Sequence, residues 1–143
     1  MRLYLDCCCY NRPFDGSTQA RLQQEADAVK KILNGWHCIL GSDFLDMEIS
    51  MISDIKKLSK VRKLYEPAEH IDISQSILDR AKELQAISTL HDMDSSHIAA
   101  AEAGHADAFL TVDDRLIRSC KGLDTIRIVN PVEFLKEVEN NDE

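Results

Sequence analysis

MDSSHIAAAEAGHADAFLTVDDRL, residues 93–116, changes its hydrophobic period twice within one short stretch. From Asp94 to about Ala103 the small apolar residues recur at three- and four-residue steps, the pattern of a helix packed against a core, and Gly104 ends it. Ala108 to Val112 is a compact apolar run that reads as a buried strand, and Asp114 to Cys120 reads as a second, short helix. A strand set between helices cannot pair antiparallel through a tight turn. It belongs to a parallel sheet covered by helices on both faces. Two acids mark the junctions: Asp94 opens the first helix, in register with Ile98 and Ala101, and Asp113 stands at the strand's carboxyl end.

The same alternation extends to both ends. Leu3 to Leu5 read as a strand, followed by a turn-like Asn11-Arg12-Pro13-Phe14-Asp15-Gly16 and a helix from Ser17 to about Leu33, stopped by Asn34-Gly35. Cys38 to Leu40 is a further apolar run. Ser42 to Lys60 then reads as one helix, with Phe44, Ile52, Ile55 and Leu58 on a single stripe. Glu48 lies on that stripe, and a carboxylate facing a core is costly unless paired, hydrogen-bonded or holding a metal. Pro67 breaks the chain before Ile71-Asp72-Ile73. Ser74 starts a helix carrying Ile77, Leu78, Ala81 and Leu84, Ile126 to Val129 forms another strand, and Pro131 opens a last helix ending near Val138. The reading is a single α/β domain over residues 1–143, three-layer α/β/α with a central, mainly parallel sheet.

A chain of 143 residues can bury roughly two thirds of its unfolded surface, enough for one core. No apolar run approaches the roughly 20 residues of a membrane span, and no secretory h-region precedes the first strand, so a cytoplasmic protein is expected. Five cysteines without a C-x-x-C pair read as small buried apolar residues rather than zinc ligands, and Cys7, Cys8 and Cys9, taken as extended, would alternate between faces. A net charge of −8 opposes general nucleic-acid binding. The basic run Lys56, Lys57, Lys60, Arg62 and Lys63 is the one electrostatic footprint for phosphates, set against an acidic tail of Glu137, Glu139, Asp142 and Glu143. A solvated helix face is the plainer reading of that run.

Asp6 and Asp113 follow two strands, where open parallel sheets place their crevice, and Glu48 and Asp94 approach from helices. Carboxylates gathered this way repel unless cations join them, and an oxygen ligand set suits Mg²⁺ or Mn²⁺. That chemistry fits phosphodiester hydrolysis. Asp6, Asp94 and Asp113 each also have a structural reading as a cap of the turn or helix beside them, whereas Glu48 resists one best. Asp43 and Asp46, off the stripe, read as partners of a helix dipole, and His91 and His97 as polar surface or capping groups.

LYLD at 3–6, DFLDMEIS at 43–50, residues 93–116 and IVNPVEFL at 128–135 together resemble a PIN domain across essentially the whole chain. The resemblance implies a metal-dependent endoribonuclease, often the toxin of a toxin–antitoxin pair. Asp6, Glu48, Asp94 and Asp113 would be its catalytic and metal-binding acids, Thr111 a supporting hydroxyl, and Mg²⁺ or Mn²⁺ its cofactor. RNA as substrate, an antitoxin protein and a second copy of the chain are the partners expected, with Arg12, Lys56, Lys57 and Lys60 as RNA contacts. Cys8 departs from the Ser, Thr or Asn that toxin-type members carry there, and a thiol is a poor donor. Arg12 has a structural alternative in a pair with Asp15. The competing function is a catalytically weak or inactive PIN-like module that binds RNA or protein. A phosphoaspartyl enzyme is disfavoured, because a dehalogenase-type phosphatase needs an Asp where Cys8 stands.

Overall fold

The computed structural model describes residues 1–141. Asp142 and Glu143 of the acidic tail lie outside the described residues. The elements run β1 (Arg2–Leu5), α1 (Cys7–Asn11), a 3₁₀ turn (Arg12–Phe14), α2 (Ala20–Leu33), β2 (Cys38–Ser42), α3 (Asp43–Ser50) and α4 (Ile55–Tyr65). They continue with β3 (Glu69–Ile71), α5 (Gln75–Ile87), α6 (Asp92–Ala103), β4 (Ala108–Leu110), α7 (Asp114–Ser119), β5 (Arg127–Val129) and α8 (Pro131–Asn141).

Among the described residues the five strands form one sheet in the order β3-β2-β1-β4-β5, every pair parallel. The fold is therefore the three-layer, parallel-sheet arrangement expected of a PIN-like chain. From β1 the chain builds outward through β2 to β3, then returns across the sheet to place β4 and β5 on the other side of β1. Between β1 and β4 the connections leave in opposite directions, which opens a crevice at the strands' carboxyl ends. The register sets Leu5 against Leu110, and the backbone N–H of Asp6 donates to the Leu110 carbonyl at 2.9 Å. Leu3, Tyr4, Leu5, Phe109 and Leu110 are fully buried, as central strands covered on both faces require. Helices α5 and α6 pack on each other, and α2 packs against α8 and α1.

Four local expectations are corrected. The helix read over 42–60 is two helices: α3 ends at Ser50, and the Asp54 carboxylate caps α4 by accepting from the N–H of Lys56 (3.0 Å) and Lys57 (3.2 Å). An Asp that offers its own acceptor to the backbone restarts the helix and resets its phase. Ile55 is consequently 81% exposed and off the stripe, whereas Phe44 is buried. The Cys7–Cys9 run is helical rather than extended, with Cys7 and Cys9 buried and Cys8 partly so. Helix α2 begins at Ala20, because the Ser17 hydroxyl turns onto the Gln19 N–H at 3.1 Å instead of capping. Helix α6 begins at Asp92, which leaves Asp94 in the first turn rather than at its cap.

The placement of α3 depends on Tyr65, whose hydroxyl receives the Ser42 N–H at 3.0 Å and reaches Asp46 Oδ1 at 2.6 Å. Ser42 in turn caps α3 by accepting the Leu45 N–H at 3.2 Å. A Cβ at Gly41 would lie 2.5 Å from the Tyr65 hydroxyl oxygen and 2.8 Å from its ring. Gly41→Ala is therefore expected to push Tyr65 off Ser42 and to cost about 1–3 kcal/mol, measurable by urea denaturation. A loss below about 0.5 kcal/mol would show that Tyr65 is free to retreat.

Candidate metal centre

Asp6 is the first residue beyond the central strand, and its side chain is claimed from three directions. Oδ1 accepts the Cys7 N–H at 2.8 Å, so the carboxylate caps α1. Oδ2 accepts the Thr111 hydroxyl at 3.0 Å and lies 3.5 Å from the Cys8 thiol. Thr111 is fully buried, and its Oγ1 also accepts the Asp113 N–H at 3.2 Å. One hydroxyl thus ties the end of β1 to the turn after β4. Cys8, 3.4 Å from Thr111 Oγ1, adds only a weak thiol contact to that arrangement.

Asp6 is about nine-tenths buried. Burial raises its carboxyl above the usual carboxylate range, with the Glu48 charge adding to the rise. His97, the Thr111 hydroxyl and the Cys7 N–H oppose that shift.

Glu48 does turn toward the interior from α3, and its partner is a residue the sequence reading assigned to the surface. His97 is 1% exposed; its Nε2 is paired with Glu48 Oε1, and its Nδ1 lies 2.6 Å from the Tyr4 hydroxyl. Tyr4 is also 2.6 Å from Ser42 Oγ, so a buried chain Ser42–Tyr4–His97–Glu48 crosses from β2 through β1 to α6 and α3. One ligand atom each from Asp6, Glu48 and His97 lies within 4.8 Å of the others. The signal for His97 was its spacing: three residues after Asp94 and directly before the buried Ile98–Ala101 run, it faces the core side of α6.

Asp94 and Asp113 are placed differently. Asp113 caps α7, its Oδ1 accepting from the N–H of Arg115 (3.0 Å) and Leu116 (3.2 Å). The Arg115 guanidinium stands 3.1 Å from Asp94 Oδ2 and 3.7 Å from Asp113 Oδ2. These two acids therefore share a cation supplied by the chain itself, beside the Asp6–Glu48–His97 cluster.

The basic residues are largely engaged. Arg12 pairs with Asp15 (3.0 Å) and lies 3.2 Å from the buried Glu25, and Lys57 pairs with the other oxygen of Asp15 at 3.0 Å. Lys60 sits over the Phe14 ring at 5.8 Å, and Lys56 is exposed. Asp43 and Asp46 do more than face a helix dipole. Asp43 binds His70 Nε2 and the Ile73 N–H, each at 2.8 Å, and these bonds hold its carboxyl below the usual range. Asp46 Oδ2 lies 3.5 Å from His70 Nδ1. This second cluster is half-exposed on the edge of the sheet.

No family model matches the chain, and no curated protein does. Solved structures do. A toxin–antitoxin complex from Klebsiella pneumoniae superposes with a TM-score of 0.65 at 20% identity, covering 90% of this chain and 97% of that one. VapBC2 from Rickettsia felis, bound to a DNA fragment from its promoter, superposes with a TM-score of 0.60 at 17% identity, covering 91% and 98%. At such identities the likeness shows a shared fold, and that fold is PIN-like.

The raised Asp6 carboxyl gives a signed pH dependence in the metal-free protein. Wild type is favoured while Asp6 is protonated and loses that contribution as pH rises through the raised folded value. Asp6→Asn is therefore expected to gain stability relative to wild type from pH 4 to pH 8, read from thermal unfolding in chelator. A gap that moves the other way would mean that its hydrogen bonds outweigh burial.

Proposed function

We propose that this protein is a metal-dependent endoribonuclease that hydrolyses RNA phosphodiester bonds, of the kind that acts as the toxin of a toxin–antitoxin pair. The observation carrying this is the convergence of Asp6, Glu48 and His97 at the carboxyl end of the central strands. Two carboxylates and an imidazole within 4.8 Å make a donor set that fits a hard or borderline dication such as Mg²⁺ or Mn²⁺. Asp6, Glu48 and His97 would hold it, with Asp94 and Asp113 beside them. Such an ion supplies charge compensation at the phosphate and makes water more acidic.

The chain's own residues carry the remaining work. Thr111 holds Asp6 in one orientation and couples it to Asp113. Arg115 has the fork that suits a phosphate, and exchanging Asp94 for a phosphate oxygen would release that acid into the site. Burial of Asp6 limits water around the carboxylate and strengthens its interaction with a cation. Lys56, with Lys57 and Lys60 behind it on α4, offers a phosphate-contacting edge, and Arg12 offers less because Asp15 and Glu25 already engage it.

The solved neighbours are toxin–antitoxin complexes, which supports a protein antitoxin as partner. Exposed Met47, Met51 and Ile55 supply apolar surface for an antitoxin or a second copy of the chain. The role proposed is a cytoplasmic one; among the described residues no helix is long and apolar enough to cross a membrane. A second reading, an RNA- or protein-binding module without catalysis, is favoured by one observation: Arg115 already neutralises both Asp94 and Asp113.

Cleavage of an end-labelled RNA under single-turnover conditions separates the two. The nuclease reading expects internal cuts with Mn²⁺ or Mg²⁺, none in chelator, and a loss of about a hundred-fold or more in Asp6→Asn and in Asp113→Asn. RNA retained but uncut, with the same affinity in all three proteins, would establish the binding module instead.

A further inference from the structure

An all-carboxylate pocket discriminates weakly among hard dications, but this one ends in a buried nitrogen. Resting on the nuclease reading above, we propose that His97 ligates the ion through Nε2, so that the site takes a first-row transition-metal dication in preference to Mg²⁺. Imidazole suits transition metals, whereas Mg²⁺ favours oxygen and keeps much of its water.

The environment of the ring supports ligation rather than simple packing. A ligating histidine is ordinarily fixed by a hydrogen bond from its other ring nitrogen. Here Nδ1 meets the Tyr4 hydroxyl at 2.6 Å, and Tyr4 meets Ser42 Oγ at 2.6 Å. Two rotatable hydroxyls in series can run in either sense. In one, Tyr4 donates to Nδ1, and the Nε2 proton is donated to Glu48. In the other, Nδ1–H donates to Tyr4, Tyr4 donates to Ser42, and Nε2 presents its lone pair to the space shared by Glu48 and Asp6. Both senses keep Nδ1 and the Tyr4 hydroxyl paired, so the change of tautomer needs no movement of the ring. The ring itself is fixed edge-on by Tyr4 at 5.7 Å and Phe44 at 6.1 Å. Tyr4 is in turn stacked on Phe109 at 5.3 Å. The donor is therefore preorganised from β1, β2 and α3 before any ion arrives.

The test is pulsed electron paramagnetic resonance on the Mn²⁺-loaded protein, with calorimetric titration by Mn²⁺ and Mg²⁺. A directly bound imidazole gives a ¹⁴N hyperfine coupling to Mn²⁺. The coupling is expected in wild type and also in His70→Gln, which removes the nitrogen of the second cluster. It is expected to vanish in His97→Gln, with the preference for Mn²⁺ over Mg²⁺ falling by about ten-fold or more. Tyr4→Phe keeps the stacked ring and is expected to retain the coupling while weakening Mn²⁺ binding by about 10- to 100-fold. Should His97→Gln fail to fold, the wild-type, His70→Gln and Tyr4→Phe proteins still decide the matter. Mn²⁺ that binds and depends on Asp6, yet shows no coupling in His70→Gln, overturns the proposal and leaves the nuclease reading standing. Binding of Mg²⁺ without Mn²⁺ overturns the proposal alone, and absence of binding by either ion overturns both.

Discussion

Asp6 is a carboxylate about nine-tenths buried, at the end of the central strand and at the point where the chain's crossovers diverge. Everything around the crevice answers that placement. The Cys7 N–H and the Thr111 hydroxyl satisfy its oxygens, and Thr111 extends the same tie to the backbone of Asp113. Burial still disfavours the charged form. A buried acid that is hydrogen-bonded yet held above its usual range is poised for a cation, because an ion restores the stabilisation that water would have given.

The neighbouring acids are partnered by different groups. Glu48 has the buried imidazole of His97, and Asp94 and Asp113 have the guanidinium of Arg115. The crevice therefore holds partnered acids, one against an imidazole and two against a guanidinium, rather than four carboxylates facing one another. Under the proposed function, exchange of the Arg115 guanidinium for a dication and a phosphate would be a redistribution of partners. On the proposed reading His97 and Arg115 belong to the site although neither is acidic.

Much of this was legible in the sequence, and the gaps have physical causes. Apolar runs ending in Asp6 and Asp113 marked parallel strands and their carboxyl ends, and the single stripe through Phe44 and Glu48 identified an inward acid. The stripe failed beyond Ser50 because the Asp54 side chain competes for the backbone and starts a new helix out of phase. His97 was missed because a histidine is equally at home capping a helix or in the core. Its position one residue before an unbroken buried run was the available signal. The Arg12–Asp15 pair was within reach of the sequence at three residues' spacing, but the pairing of Lys57 with Asp15 joins residues far apart in the chain and leaves no local trace, so the basic run looked freer than it is.

Crystals grown with Mn²⁺ would decide whether Asp6, Glu48 and His97 form one metal centre. Anomalous difference density collected at the manganese edge should give a peak bounded by those three side chains. A peak confined to the exposed Asp43–Asp46–His70 cluster, or no peak at saturating Mn²⁺, would contradict it.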